Sequence, residues 1–380
     1  MEPLGVYVHY PFCRSRCSYC DFPIAVVPEP DIPHDEYRGA VVAELHARAP
    51  ALAGRELVSI YIGGGTPSLA RPSDVEAVVA AVRAAFSAQR SKLEITLEAN
   101  PVDCTPDRLE AWRRAGITRL SIGAQSADPE ELVTLGRDHR MGEGREALAR
   151  AAGAGFESVS ADLILGVPGP GNAGKRALRS LDALAGSGPD HLSVYELTFE
   201  PSTPLDARRR RGEIAALGED ELEEIYRLCH SELGSRGYEH YEISSFARPG
   251  HRAVHNSLYW RAAEYLGLGS GASSFVRHPG GSGERWRNHR SVHRYLAAAP
   301  DERIAERDSL SPADLRADRL WLGLRTAEGV DERAFEGRSK LLAYLLDTGL
   351  ARRHENYIRP TLRGFLCADY VAQRVIDDRW

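Results

Sequence analysis

The chain has 380 residues, 43% hydrophobic and 27% charged, with a net charge of -6 and a pI near 6.1. That length suits one barrel-sized domain with an appendage, or roughly two to three smaller domains. The mild acidity excludes general nucleic-acid binding, and no apolar run approaches the length of a membrane span.

The first element is a β-type run, Leu4–His9, that ends at Pro11 and passes straight into Cys13-Arg14-Ser15-Arg16-Cys17-Ser18-Tyr19-Cys20. Three thiolates at this spacing on one loop can converge on one centre. They match three irons of a cubane [4Fe–4S] cluster and leave the fourth iron open. Zinc is the alternative on spacing alone, with His9 and His34 nearby, although a structural zinc site wants a fourth ligand. The other cysteines, Cys104, Cys229 and Cys367, are scattered, which is no disulfide framework. The N-terminus shows no charged stretch followed by an apolar core, so the chain reads as cytoplasmic.

From residue 4 to about 200, strand-like and helix-like segments alternate. Strands are expected at Leu4–His9, Leu57–Ile62, Leu93–Glu98, Arg119–Gly123, Ser158–Leu165 and His191–Thr198. Helices are expected at Asp35–Ala49, Ser73–Phe86, Pro106–Ala115, Glu143–Ala154 and Lys175–Ala185. In the second of these, Val75, Val78, Val79 and Val82 recur at helical spacing and form an apolar face for a sheet. Six βα units in order imply a parallel sheet with right-handed crossovers, hence a barrel or partial barrel.

Such folds carry their chemistry at the C-terminal strand ends. The cysteine loop, Gly63-Gly64-Gly65-Thr66-Pro67, Glu98-Ala99-Asn100-Pro101, Gln125-Ser126 and Gly166-Val167-Pro168-Gly169 all fall there. The glycine run lacks the lysine of a phosphate-binding P-loop; glycines directly after a strand instead let main-chain groups approach a ligand closely.

Beyond residue 200 the regularity breaks. A helix is expected over Glu221–Ser235 and a strand over Tyr238–Phe246; residues 250–295 are rich in His, Arg, Gly and aromatics. From about 305 the order helix (Pro312–Leu324), helix (Arg338–Asp347), short β stretch (Ala351–Arg359) and helix (Leu362–Ile376) suggests a winged-helix-like accessory domain.

Taken together, Tyr7–Cys13, Gly63–Ser68, Glu98–Pro101, Arg119–Ser126, Leu135-Gly136-Arg137, Asp162–Pro168, Gly237–Phe246 and His255–Trp260 resemble the radical S-adenosylmethionine (SAM) superfamily. The likeness is to the branch of oxygen-independent coproporphyrinogen III oxidase and, more narrowly, the haem chaperone family HemW. It implies an α/β fold: a partial (β/α)6 radical SAM barrel over 1–240, an α+β extension over 241–304 and a winged-helix-like domain over 305–380.

By the same resemblance Cys13, Cys17 and Cys20 ligate a [4Fe–4S] cluster. Tyr7 and Tyr19 flank the cluster loop, Gly64, Gly65 and Thr66 line SAM, and Glu98 contacts it. Gln125, Arg137 and Asp162 match positions that hold a second SAM or its equivalent in the oxidase. The oxidase motif continues to a fourth cysteine where this chain has Phe22, and the oxidase carries an N-terminal extension before the cluster strand. Both departures favour the haem chaperones. So does His255-Asn256-Ser257-Leu258-Tyr259-Trp260, which is similar to their haem-associated HNxxYW segment, with His255 as the implied haem ligand. The expected function is haem delivery to an acceptor protein, with peripheral association at a membrane-bound acceptor and dimerisation implied by resemblance. The enzymatic alternative is radical SAM turnover of a small molecule, by porphyrinogen decarboxylation, methyl transfer or cyclopropanation.

Overall fold

The computed structural model describes residues 1–88 and 93–376. The chain opens with β1 (Pro3–Tyr10), and the cluster loop lies between two short ribbons, β2 (Phe12–Cys13) and β3 (Ala25–Val26). Next come α1 (His34–Arg48), β4 (Glu56–Gly64), α2 (Pro72–Ala85), β5 (Glu94–Ala99) and α3 (Pro106–Arg114). They are followed by β6 (Arg119–Gln125), α4 (Pro129–Leu135), α5 (Glu143–Gly153), β7 (Ser158–Leu165), α6 (Ala173–Ala185) and β8 (His191–Glu196). Strands β1, β4, β5, β6, β7 and β8 pair in that order, all parallel. The six βα units expected from periodicity are therefore present. The helix α4 is an addition, capped by the Asp128 side chain and ended by Gly136 at φ 67.

The valines of α2 are buried as their spacing predicts, in a core that also takes Leu181 and Leu184 of α6 and alternate residues of the parallel strands. In β7 the core residues Val159, Ala161 and Leu163 alternate with Ser158, Ser160 and Asp162 on the other face of the sheet.

Past α7 (Pro204–Arg210) and α8 (Glu219–Ser235) the expected single strand over Tyr238–Phe246 is a hairpin, β9 (Glu239–Glu242) and β10 (Ser245–Ala247). Its turn is closed by the Glu242 carboxylate accepting from the Ser244 amide. The segment around His255 is a helix, α9 (Val254–Trp260). It delivers the chain to β11 (Glu264–Leu268), which pairs in parallel with the free side of β1. Strands β12 (Ser273–Arg277), β13 (Gly283–Asn288) and, after α10 (Val292–Ala297), β14 (Ile304–Leu310) extend that edge antiparallel. The result is one twelve-stranded sheet whose two edges, β14 and β9, do not pair with each other among the described residues.

The C-terminal unit has a core of its own, including Leu320, Phe335, Leu341 and Val375. It holds α11 (Pro312–Gly323), β15 (Val330–Asp331), α12 (Ser339–Asp347), the hairpin β16 (Ala351–His354)–β17 (Tyr357–Pro360), α13 (Leu362–Leu366) and α14 (Ala368–Ile376). The helix, helix, hairpin, helix order agrees with the winged-helix pattern. The strand β14, which spans position 305, belongs to the main sheet.

One buried carboxylate fastens the added strands to the barrel. Glu44 of α1 is fully buried and accepts from the Tyr295 hydroxyl (2.7 Å), the Gly269 amide (3.0 Å) and Asn288 Nδ2 (2.7 Å). Burial pushes its carboxyl above the usual range despite these donors. Glu44→Ala strands three buried donors at once and should cost on the order of 3–5 kcal/mol in urea denaturation. Val133→Ala, at a surface position, should stay within about 0.5 kcal/mol. Equal losses in the two variants would refute the anchoring role.

Candidate active site at the C-terminal rim of the barrel

The three cysteines open onto a cavity of about 420 Å³ at the C-terminal ends of the parallel strands. The loop that carries them is pinned along its length. Ala25 N donates to Pro11 O, Val27 N to Cys13 O, Ser18 N to Leu135 O and Leu205 N to Ser18 O. Arg14, inside the motif, is held by Asp103 (2.7 Å) and Glu29 (3.1 Å). The cysteine positions are thus set by the scaffold before any group binds.

The glycine loop lies directly against this one. Gly65 N donates to Tyr10 O (2.7 Å) and Thr66 N to Phe12 O (2.9 Å). A Cβ at Gly65 would sit 2.8 Å from Pro11 O and 2.9 Å from Cys13 Sγ. One at Gly64, which adopts φ +117, would sit 2.5 Å from the His9 ring. These are close approaches only glycine allows. Thr66 Oγ1 donates to Cys13 Sγ (3.4 Å).

Beside the glycine run Glu98, near the end of β5, accepts from Tyr61 OH (2.7 Å) and Gly64 N (3.0 Å). Burial pushes its carboxyl up to about 7, with the nearby Asp162 adding to the rise. Asp162 is raised to about 6, chiefly by burial, and accepts from Ser121. Arg137 supplies the balancing cation. It donates to Cys17 Sγ (3.3 Å), Asn100 Oδ1 (2.7 Å) and Gly123 O (2.9 Å), while its buried Nε has no partner. Gln125 sits at φ 63, where a register slip between Ile122 and Gln125 turns the end of β6 into the cavity.

Of the residues expected from sequence, Cys13, Cys17, Cys20, Tyr19, Gly64, Gly65, Thr66, Glu98, Gln125, Arg137 and Asp162 all line this one cavity. Tyr7 lies behind the wall instead. Its hydroxyl donates to His9 Nδ1 (2.9 Å), and His9 Nε2 donates to Pro23 O (3.0 Å). A carbonyl can only accept, so the second bond fixes the tautomer and makes Nδ1 the acceptor. Burial lowers His9 to about 4, so it stays neutral and braces the far end of the cluster loop. With both nitrogens engaged, His9 is not available as a zinc ligand.

His255 is elsewhere. It is buried, with Nδ1 on Ser59 Oγ (2.8 Å) and Nε2 on Tyr259 OH (2.8 Å), and burial lowers it to about 3. The first amides of α9, Val254 N and His255 N, donate to Glu94 at the start of β5. The helix therefore packs at the N-terminal end of the strands, away from the cysteines. Residues not expected from sequence also face the cavity, notably Ser121, Tyr195 and Glu200, with Tyr61 behind Glu98. Strand alternation could have marked Tyr61, two positions before Gly63 on the inward face.

The site fits a cluster with SAM. Three soft thiol donors share one cavity with a glycine-lined shelf, paired buried acids and an arginine with an unmet Nε. No group of three His, Cys, Asp or Glu side chains among the described residues converges as a single metal ion requires.

Glu98 in the folded chain keeps its proton to about pH 7, whereas its ordinary value is 4.5. The folded state then binds more protons between these values, so its stability falls as pH rises through that window. Urea denaturation of cluster-free protein between about pH 4.5 and 7.5 should show a decline on the order of 1–3 kcal/mol that Glu98→Gln reduces. An unchanged slope in the variant would place the effect elsewhere.

The radical SAM superfamily profile matches residues 7–181. Heme chaperone HemW of Mycobacterium tuberculosis (strain CDC 1551 / Oshkosh) is 34% identical over 99% of this chain and 95% of its own length. Heme chaperone HemW of Escherichia coli (strain K12) is 35% identical over 97% and 94%. The Bos taurus protein called radical S-adenosyl methionine domain-containing protein 1, mitochondrial, is 34% identical over 96% and 85%. Among solved structures, coproporphyrinogen III oxidase (HemN) from Escherichia coli superposes with a TM-score of 0.81 over 98% of this chain and 90% of that one, at 24% identity, a likeness of fold. With its cysteine loop, glycine shelf and full-length similarity, the chain belongs to the radical SAM superfamily and, within it, to the Heme chaperone HemW family.

Proposed function

We propose that this protein is a haem carrier that binds one [4Fe–4S] cluster, SAM and haem and passes haem to an acceptor protein. The observation that carries the reading is similarity to Heme chaperone HemW along essentially the entire chain, C-terminal unit included. Phe22, which is 55% exposed at the cavity mouth, supports it, because the oxidase-like motif would place a cysteine there.

In this reading Cys13, Cys17 and Cys20 ligate the cluster. A bound cluster with SAM supplies one-electron chemistry, or a structural and regulatory ligand set. Gly64, Gly65 and Thr66 line SAM beside Tyr19. Glu98 receives a cationic group of SAM, which would draw off its proton. Gln125, Arg137 and Asp162 hold a second SAM or its equivalent, and Tyr7 acts through His9 on the loop. His255 could serve iron only after giving up Ser59 or Tyr259. Dimerisation and a membrane-bound acceptor belong to the same proposal. No described helix is long and apolar enough to cross a membrane.

A second reading, radical SAM turnover of a small molecule, draws on the acids and the arginine around the cluster loop. Release of 5′-deoxyadenosine with coproporphyrinogen III under anaerobic reducing conditions tests it. For the carrier reading, anaerobically reconstituted protein should take up haem in a Soret titration, with and without SAM, and surrender it to an apo-haem protein. Absence of uptake with an intact cluster would overturn it.

A further inference from the structure

Three arginines are buried among the described residues: Arg119, Arg176 and Arg303. Two of them are held by the protein. Arg176 donates to Glu131 (2.9 Å), Val167 O (2.9 Å) and Pro170 O (2.6 Å). Arg303 donates to Ala40 O (2.6 Å) and lies over the Tyr295 ring. Arg119 is different. It is 3% exposed, its Nε has no partner, and it enters no hydrogen bond or ion pair among the described residues. A guanidinium keeps its proton in a protein, and a buried charge is costly unless something pairs with it.

The sheet register puts two more unmet groups beside it. Thr96 of β5 and Ser158 of β7 are the direct neighbours of Arg119 of β6. Leu97, Leu120 and Val159, one position on in each strand, pack into the outer core, so these three side chains share the barrel interior. Thr96 Oγ1 and Ser158 Oγ are both buried and both without a hydrogen-bond partner. The layer therefore gathers a cation and two hydroxyls that no protein group receives. The next inward positions on β6 and β7 are Ser121 and Ser160, short side chains turned to Asp162 and His191. They are too small to close over the guanidinium.

The surrounding ionisable groups do not pair with it either. Glu98 and Asp162 feel Arg119 through space without bonding to it, and burial holds their carboxyls up to about 7 and about 6. Towards acid pH the guanidinium loses even this distant counter-charge. On the other side, His191 is engaged by Ser160 and Tyr241, and His255 by Ser59 and Tyr259; burial keeps both neutral. Water can accept from Nε but brings no charge. A single small anion does both, accepting from the guanidinium and the two hydroxyls while neutralising the buried cation. Sulfate or phosphate would bring two charges to one cation.

We propose that Arg119, Thr96 and Ser158 form a site for one monovalent anion of chloride size, buried in the barrel beneath the floor of the cysteine cavity. The inference goes beyond the haem-carrier reading and does not depend on it.

The test compares full-length, anaerobically reconstituted protein in sodium chloride, sodium bromide and sodium gluconate at equal ionic strength and mildly acidic pH. Chloride and bromide should raise the unfolding midpoint of wild type above its value in gluconate by about 2 °C or more. Thr96→Val, which removes one hydroxyl at nearly constant volume, should reduce that gain. Arg119→Met, which removes the charge, should abolish it. Crystals of wild type soaked in bromide should show an anomalous peak within hydrogen-bonding reach of Arg119. An equal gain in folded Arg119→Met protein would assign the effect to surface anions and overturn the site. Wild-type crystals with no bromide at Arg119 would overturn it whether or not the variants fold, leaving water as the occupant.

Discussion

The rim depends on two main-chain hydrogen bonds that tie the chain after β1 to the glycine run after β4, Gly65 N to Tyr10 O and Thr66 N to Phe12 O. Neighbouring parallel strands lie close by construction, but their following loops normally diverge to enter helices. Here they stay in contact, because no side chain stands between Gly65 and Cys13 or between Gly64 and His9. One consequence is electrostatic. Gly64 N, aimed by this loop, donates to Glu98 from the next strand end, so three successive strands share one hydrogen-bonded rim. A residue larger than glycine at position 65 would press on Pro11 and Cys13 together and disturb thiol placement before ligand contact.

That rim gathers charge at a cost the fold must offset. Glu98 and Asp162 are held above their usual carboxylate range chiefly by burial, and neither has a direct ion-pair partner among the described residues. Arg137 faces the same space, and the buried Arg119 lies close enough to moderate both acids. Acids kept near neutrality by desolvation gain most when a cationic ligand arrives, since binding supplies the missing counter-charge. A sulfonium with an ammonium group is such a ligand. In the proposed reading SAM brings such a charge to Glu98, whose carboxyl burial holds up to about 7.

Much of this was legible in the sequence, for a physical reason. The cysteine spacing, the glycines after a strand, and single polar residues at strand ends are local signals. A parallel α/β sheet converts position along the chain into position on a rim, so Cys13, Gly64, Glu98, Gln125 and Asp162 could be placed together without knowing any contact. What stayed hidden depends on non-local pairing. Nothing near Glu264–Leu268 announces that it will add in parallel to the open side of β1, and the hairpin at Ile243-Ser244 is set by the Glu242 side chain folding back. By resemblance Tyr7 is expected to flank the cluster loop. Strand alternation turns it to the barrel interior instead, onto Tyr61 and His255, from where it reaches the rim through His9.

His255 shows how a short helix fixes the direction of a side chain that the sequence leaves open. A seven-residue helix capping the bottom of the strands must bury one face, and His255 and Leu258 form that face. A buried imidazole needs both nitrogens satisfied, which Ser59 and Tyr259 do. The residues that face outward on the same helix, Ser257 and Trp260, then become available to whatever packs or binds beyond it. Because β11 follows α9 directly, the helix that plugs the barrel also sets the wall of the seam with the C-terminal unit. The cysteine rim and the seam with the C-terminal unit therefore lie on different sides of the strands that connect them.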